Sequence, residues 1–518
     1  MRSWVWIVPL ILLITAKPSW ADRFDFFQPV QPPRPFAVKA HRGLDCGAPE
    51  NTRPAIEAAI ADQLEWVEID IRLTRDGHHV LFHDSKLDGK TTGQGNVQDH
   101  TLAELLELDA GSWYAPRYAG EILLTLPDAL KLAKGTINLD LDGKDIDPDR
   151  LVAEVLAADM ARQVVVFCDL DTLLHIREAS GGKIAIMPKW RPAFGTSDWV
   201  DRVRPDAVEV DADQVTPALC KAFHAKGVVV QAKNLGEWDQ PKYWHAVLDA
   251  GADVVQTDLP EQVIAERLWK QTRNRPVRLA FHRGASRYAP ENTLPAIKQA
   301  VAMGADLIEI DVRTTRDGGL FLLHDSRLDR TTTGQGPIAE ATATAIANLD
   351  AGQWFGRNYA GTQVPTFDAA LEALGRHTEL YLDAKEIDPQ ALADALAKHN
   401  LIERTIVYDG SDDLAELRAL APAIRRMPPM ADIAELAPLI QKVKPYAVDV
   451  RWRNLSKELI EACHAAGVLV FSDAMGQNER IEAYQQAINW GIDGIQSDYP
   501  LRVMRAVEIL GTDRREQE

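Results

Sequence analysis

The chain repeats itself. His41-Arg42-Gly43 returns as His282-Arg283-Gly284, 241 positions later. The same shift carries Pro49-Glu50-Asn51-Thr52 onto Pro290-Glu291-Asn292-Thr293 and Glu68-Ile69-Asp70 onto Glu309-Ile310-Asp311. It also carries His83-Asp84 onto His324-Asp325, Leu108-Asp109-Ala110-Gly111 onto Leu349-Asp350-Ala351-Gly352, and Asp142 with Lys144 onto Asp383 with Lys385. Towards the end of each half the shift becomes 240, where Gln256-Thr257-Asp258 meets Gln496-Ser497-Asp498. A period this long means two duplicated domains, since solenoid repeats run to about 20–50 residues. The 518 residues then divide into a signal peptide (1–21), a Pro-rich leader (22–35), a first domain (36–268), a linker (269–276), a second domain (277–512) and a polar tail (513–518).

One copy reads as strands over residues 36–40, 66–73, 137–141, 163–167, 183–187, 207–210, 228–231 and 253–256, with helices between most of them, such as 52–61, 148–158 and 217–226. Eight strands alternating with helices predict a (β/α)8 barrel of the TIM type, α/β in class and present twice. An extra strand at 79–83 follows Asp76-Gly77 and reads as a hairpin return from the second strand. A tight return places His83 opposite Asp70, and residues 84–120 become an insertion over the barrel's top.

The N-terminus stands apart. Arg2 precedes a short apolar run over residues 4–14, and Ser19-Trp20-Ala21 offers small residues at the positions a signal peptidase reads. The run falls short of the ~20 residues of a membrane span, so a secreted or periplasmic protein is expected after cleavage. Cys46, Cys168, Cys220 and Cys463 match no zinc spacing and do not recur between the halves. They read as small buried residues with at most one bridge. A net charge of −19 disfavours nucleic acid and strong binding to an anionic membrane. A small anionic substrate remains compatible if a bound cation reverses the local field.

The repeated polar motifs fall at the C-terminal ends of the expected strands, where barrels of this type carry their active sites. Glu68 and Asp70, two apart on a strand, share a face. With Asp142 they crowd three carboxylates into one mouth, an arrangement that demands a cation. All-oxygen ligands suit Ca²⁺ or Mg²⁺, one ion per active barrel. His41 and His83 can divide proton transfer, while Arg42 and Lys144 hold phosphate oxygens. The second copy repeats the set with Glu309, Asp311 and Asp383 as ligands, His282 and His324 as acid and base, and Arg283 and Lys385 on phosphate. Glu50, Trp113, Glu291 and Trp354 are candidate pocket residues. Asp140 is a rival to Asp142, which is preferred because it keeps the repeat with Asp383.

His-Arg-Gly, Pro-Glu-Asn-Thr, Glu-Ile-Asp, Thr-Arg-Asp-Gly, His-Asp-Ser-x-Leu-Asp and Leu-Asp-Ala-Gly-x-Trp, in this order, resemble the glycerophosphodiester phosphodiesterase family over nearly all of both halves. The resemblance implies a divalent metal and two catalytic histidines. It also implies hydrolysis of a small-molecule glycerophosphodiester to sn-glycerol 3-phosphate and an alcohol. The chain departs from the family's pattern in several places. The third ligand is Asp in both copies where the family commonly has Glu, and Gly89 stands where the second copy has Arg330. Leu64-Glu65-Trp66 replaces a Gly-Ala-Asp, and Gln231 and Phe471 stand where the family has Trp-x-x-Asn near the seventh strand. Rival readings are a lysophospholipase D-type enzyme, and a surface binding protein with one or both barrels silent.

Overall fold

A computed structural model describes residues 24–272 and 274–517. The expected signal peptide lies outside the described residues. Each half is a (β/α)8 barrel. In the first, β1 (Ala37–Ala40), β2 (Trp66–Leu73), β4 (Asn138–Gly143), β5 (Val164–Phe167), β6 (Ala185–Ile186), β7 (Ala207–Asp211), β8 (Val229–Lys233) and β9 (Val254–Thr257) form the parallel wall. The ninth strand, β3 (His79–Leu81), pairs antiparallel with the end of β2. In the second half, β10 (Arg278–Phe281), β11 (Leu307–Thr314), β12 (Leu320–Leu322), β13 (Glu379–Ala384), β14 (Thr405–Tyr408), β15 (Arg425–Met427), β16 (Ala447–Asp449), β17 (Leu469–Asp473) and β18 (Gly494–Ser497) repeat the plan, with β12 in the place of β3. Parallel bridges Lys189–Glu209 and Pro429–Asp449 join the sheet ends and close the barrels.

Strand β2 shows why the sequence takes this form. Val67, Ile69 and Ile71 are all 0 % exposed and pack under the helices. Burying each is worth about 1.5–3 kcal/mol. The alternate residues Glu68 and Asp70 must then face the barrel axis. The helices start where side chains cap them. Thr125, Asp147, Asp169 and Thr216 each accept from the backbone N–H three residues on, and at Thr125, Asp147 and Thr216 a proline follows at once or one residue later.

The hairpin register differs from expectation. Thr74 N donates to His78 O, so the turn holds three residues, with Gly77 at φ +78°. Ile71 pairs with Leu81, and Phe82 rather than His83 stands opposite Asp70, its N–H donating to the Asp70 carbonyl at 3.0 Å. A second local reading shifts by one residue too. The counterpart of Asp306 is Glu65, because Glu65 accepts from Val38 N at 3.0 Å as Asp306 accepts from Leu279 N at 2.9 Å.

The insertion is latched by its Leu-Asp-Ala-Gly motif. Asp109 accepts from Gly111 N, Ser112 N and Gly120 N, each at 2.8 Å, and Asp350 accepts likewise from Gly352 N, Gln353 N and Gly361 N. Glycine follows because a Cβ on Gly111 or Gly352 would lie 2.0 Å from the carbonyl of Tyr118 or Tyr359. Replacing Asp350 with alanine is expected to loosen the insertion by about 2–4 kcal/mol, since these bonds are charge-assisted. The readout is faster amide exchange in residues 350–361. The backbone bonds hold the Asp350 carboxyl below its usual range against the opposing effect of burial. The latch is therefore complete above the unfolded carboxylate pKa and weakens as pH falls through the lower folded one.

The barrels meet through Asp62, at the C-terminal end of the helix Arg53–Ala61 and 0 % exposed. It accepts from Arg287 Nε at 2.6 Å and from the Tyr288 hydroxyl at 3.1 Å. Arg502 donates to the Ala61 carbonyl at 2.6 Å, and Trp269 donates its indole N–H to Gly304 O at 3.0 Å. Arg287→Ala strands the Asp62 carboxylate inside the interface, which is expected to cost about 3–5 kcal/mol in denaturant unfolding. An unchanged midpoint would show that the barrels do not depend on this contact. All four cysteines are unpaired. No helix among the described residues is long and apolar enough to cross a membrane, and the terminal helix Pro500–Gln517 runs on into the expected tail.

Candidate active site

The His-Arg-Gly turn follows β1 and β10. Arg42 and Arg283 adopt φ of 56° and 53°, and Asn51 and Asn292 adopt 59° and 55°. Left-handed backbone at four non-glycine residues, matched between copies, is strain kept for a purpose. It aims Arg42 N at Glu68 Oε2 (2.9 Å) and Arg283 N at Glu309 Oε2 (2.7 Å). The glycine of the motif lets the turn lie on the next helix, since a Cβ on Gly43 would meet Ala55 Cβ at 2.6 Å.

Glu68, Asp70 and Asp142 bring ligand oxygens within 4.8 Å of one another, and Glu309, Asp311 and Asp383 do the same. Asn51 grips Asp70 twice, accepting from its N–H at 2.9 Å and donating to Oδ2 at 2.7 Å, and Asn292 grips Asp311 in the same way. Lys144 lies 2.5 Å from Asp142 and 3.2 Å from Asp70, and Lys385 lies 2.5 Å from Asp383 and 3.3 Å from Asp311. Asp140 stands apart, paired with the buried Lys39 at 2.6 Å.

Burial, then repulsion by Asp70 and Asp142, pushes the Glu68 carboxyl well above its usual range, and Glu309 follows suit beside Asp311 and Asp383. Burial lifts Asp142 to about 6 although Lys144 opposes it. Three acids so placed are costly without a counter-charge. Asp70 Oδ1 is buried and faces the Lys144 ammonium at 3.2 Å. All-oxygen donors and mutual proximity fit a hard divalent cation.

The histidines are each tied by one nitrogen. His41 Nδ1 lies 2.7 Å from Asp258 and His83 Nδ1 2.7 Å from Asp84; His282 and His324 stand at the same distance from Asp498 and Asp325. This leaves Nε2 for proton exchange, and His41 Nε2 is 4.0 Å from Glu68. His41, Arg42, Glu68, His83, Asp142 and Lys144 line one cavity of about 150 Å³. In the second barrel His324 sits in the field of Asp383, and His282 in that of Asp473.

Glu50 holds Arg42 at 3.2 Å and Lys90 at 2.8 Å, while Glu291 holds Arg283 at 2.8 Å and Arg330 at 2.7 Å. Lys90, next to Gly89, thus does the work of Arg330, reaching Asp84 at 3.0 Å as Arg330 reaches Asp325 at 2.7 Å. Trp113 does not line that cavity but lines a smaller neighbouring one with Glu50, Asn51 and Lys90. Its indole donates to Ala110 O, and Arg357 of the other half lies 5.4 Å from its ring; Trp354 donates to Ala351 O and meets Arg117 at 5.7 Å. Sequence reasoning assigned no role to Asn51, Asn292, Asp258, Asp498, Asp84 or Asp325. The signal was present, because all six recur with the repeat.

A model of the glycerophosphoryl diester phosphodiesterase family matches residues 41–262 and again 282–502. A glycerophosphodiester phosphodiesterase of Bacillus subtilis is 30 % identical over 249 residues, 42 % of this chain and 82 % of that protein. One from Caldanaerobacter subterraneus is 32 % identical over 235 residues, 44 % of this chain and 96 % of that protein. The crystal structure of a glycerophosphodiester phosphodiesterase from Agrobacterium tumefaciens is 30 % identical and covers 44 % of this chain and 99 % of its own, with a TM-score of 0.41. Both halves carry the family's pattern, and the chain belongs to the glycerophosphoryl diester phosphodiesterase family.

Proposed function

We propose that each barrel hydrolyses glycerophosphodiesters to sn-glycerol 3-phosphate and an alcohol. The observation that carries this reading is the meeting of two carboxylate-tied histidines with three clustered acids around one cavity. Glu68, Asp70 and Asp142, and Glu309, Asp311 and Asp383, would hold a Ca²⁺ or Mg²⁺ ion. When bound, such an ion supplies positive charge to the phosphate oxygens. Arg42 and Lys144, or Arg283 and Lys385, neutralise the phosphodiester and orient it. Of each histidine pair, one takes the proton from the nucleophile, either water or the glycerol 2-hydroxyl whose cyclic phosphate water then opens, and the other gives a proton to the leaving alkoxide. Asp258, Asp84, Asp498 and Asp325 hold those rings in place through Nδ1. The reading also places the protein outside the cytoplasm, on the strength of Arg2, the apolar run at 4–14 and Ser19-Trp20-Ala21.

The test is product identity. Glycerophosphocholine incubated with the mature chain and divalent cation is expected to yield sn-glycerol 3-phosphate and choline, read with an enzyme-coupled assay. Lysophosphatidylcholine is expected to turn over far more slowly. Release of phosphocholine and glycerol, or faster attack on the lysolipid, would replace this reading.

A further inference from the structure

The two barrels share their carboxylates and histidines but not the wall opposite. Side chains facing the axis alternate along each strand, so the residue two beyond an interior one lies in the mouth layer. In the second barrel Tyr381, Ala447 and Phe471 are interior residues of one cluster, which puts Asp383, Asp449 and Asp473 in the mouth. At the shift of 240, the places of Asp449 and Asp473 are taken in the first barrel by Glu209 and Lys233, and both line the cavity that holds His41, Glu68 and Asp142. The wall is therefore part of the substrate site, on the side away from the His-Arg-Gly turn.

Its charge differs between copies. In the first barrel Lys189 is shared by Glu209 at 3.0 Å and Asp211 at 2.5 Å, Lys233 lies 3.9 Å from Glu209, and Arg451 takes the place of Asp211 in the second. In the second, Pro429 replaces Lys189 and Asp473 replaces Lys233. Asp449 is 8 % exposed, and its Oδ1, like that of Asp473, is buried with no hydrogen-bond partner. The charged groups around the pair are Asp383, Asp498, His282, Lys385 and the exposed Arg451. Tyr408, in the mouth layer above Ile406, replaces Phe167 and stands 6.5 Å from Tyr381, ring to ring. A buried acid, Asp449, and a half-buried one, Asp473, each with an unused buried oxygen beside aromatic rings, call for a cation. A second metal ion fits poorly, because among the described residues only Glu68, Asp70, Asp142 and Glu309, Asp311, Asp383 gather three ligand atoms within 4.8 Å. An ammonium group is larger and more diffuse, and is held by carboxylates at longer range together with aromatic faces.

We propose that the second barrel selects glycerophosphodiesters whose alcohol carries an ammonium group, with Asp449 and Asp473 as the specificity-determining residues, and that the first barrel lacks this preference. The inference rests on the hydrolytic reading above. Two full-length variants separate the barrels: His41→Ala leaves the second working, and His282→Ala leaves the first. Each is assayed with glycerophosphocholine and with the neutral glycerophosphoglycerol. The His41→Ala chain is expected to favour the choline ester in kcat/KM by about tenfold or more, and the His282→Ala chain by less than about threefold, as a local charge difference of this kind dictates. Added to His41→Ala, Asp449→Asn or Asp473→Asn is expected to erase the preference through KM of the choline ester. Asp473→Glu is expected to restore it, and Asp473→Lys to reverse it.

Equal ratios in the two barrels, or Asn variants that slow both esters alike, would overturn the selectivity while leaving the hydrolytic reading standing. If the His41→Ala chain cleaves neither ester, the hydrolytic reading of the second barrel fails. Calorimetric titration of that chain with the two esters then decides the selectivity. Tighter binding of the choline ester by about tenfold supports it, and equal affinity overturns it.

Discussion

Loss of both His41 and His282 to alanine is expected to slow glycerol 3-phosphate release by about 10²–10⁴-fold, the contribution of a positioned acid or base. Each histidine follows its first strand directly, and each has Nδ1 at 2.7 Å from the aspartate that follows the last strand of its own barrel, which pairs with the first. In the proposed mechanism the Nε2 that remains transfers the proton, so truncation would remove the chemistry without opening the core. His282→Ala alone is expected to remove more than half of the activity of the intact chain, because Arg330 holds Glu291 and Asp325 with a planar fork where Lys90 offers Glu50 and Asp84 a single point charge. The coupled assay on the two single variants and the double variant checks this. Undiminished release by the double variant would eliminate the two-histidine chemistry.

The second large effect belongs to the carboxylates. Asp70 and Asp311 are 0 % and 1 % exposed, and each is gripped by an asparagine. Converting both to asparagine keeps the size and removes one charge per cluster. Activity is expected to fall below about one per cent of the parent, the scale of a lost electrostatic group at a reacting phosphate, and chelation of the parent should do the same. A second readout is independent of turnover. A saturating divalent cation raises the unfolding temperature of the parent, because ligand that binds the native state alone adds about 2.7 kcal/mol at a hundredfold excess over Kd. The double variant should show no such rise. Full activity in chelator would remove the cation from the account.

Much of this was legible in the residues. The alternation Trp-Val-Glu-Ile-Asp-Ile on β2 leaves the acids no direction but inward once Val67, Ile69 and Ile71 are buried. The duplication singled out Asp142 over Asp140, and the structure gives the reason, as Asp140 is spent on Lys39 one layer lower. The hairpin register was not legible. A turn of two or three residues fits Arg75-Asp76-Gly77 equally well, and the choice moves the residue opposite Asp70 from His83 to Phe82. Lys90 standing in for Arg330 was hidden by the one-residue offset beside Gly89, which only side-chain reach repairs. The partners of the first histidines were hidden by distance, for Asp258 lies 217 positions from His41 and only the pairing of the first strand with the last makes them neighbours.

The most direct test is a count of bound cations. Equilibrium dialysis of the intact chain against Ca²⁺ or Mg²⁺, followed by elemental analysis, should find two high-affinity ions per molecule, falling to one in Asp311→Asn and to none when Asp70→Asn is added. Two ions retained by that last variant, or none held by the parent, would contradict a metal seated among these acids.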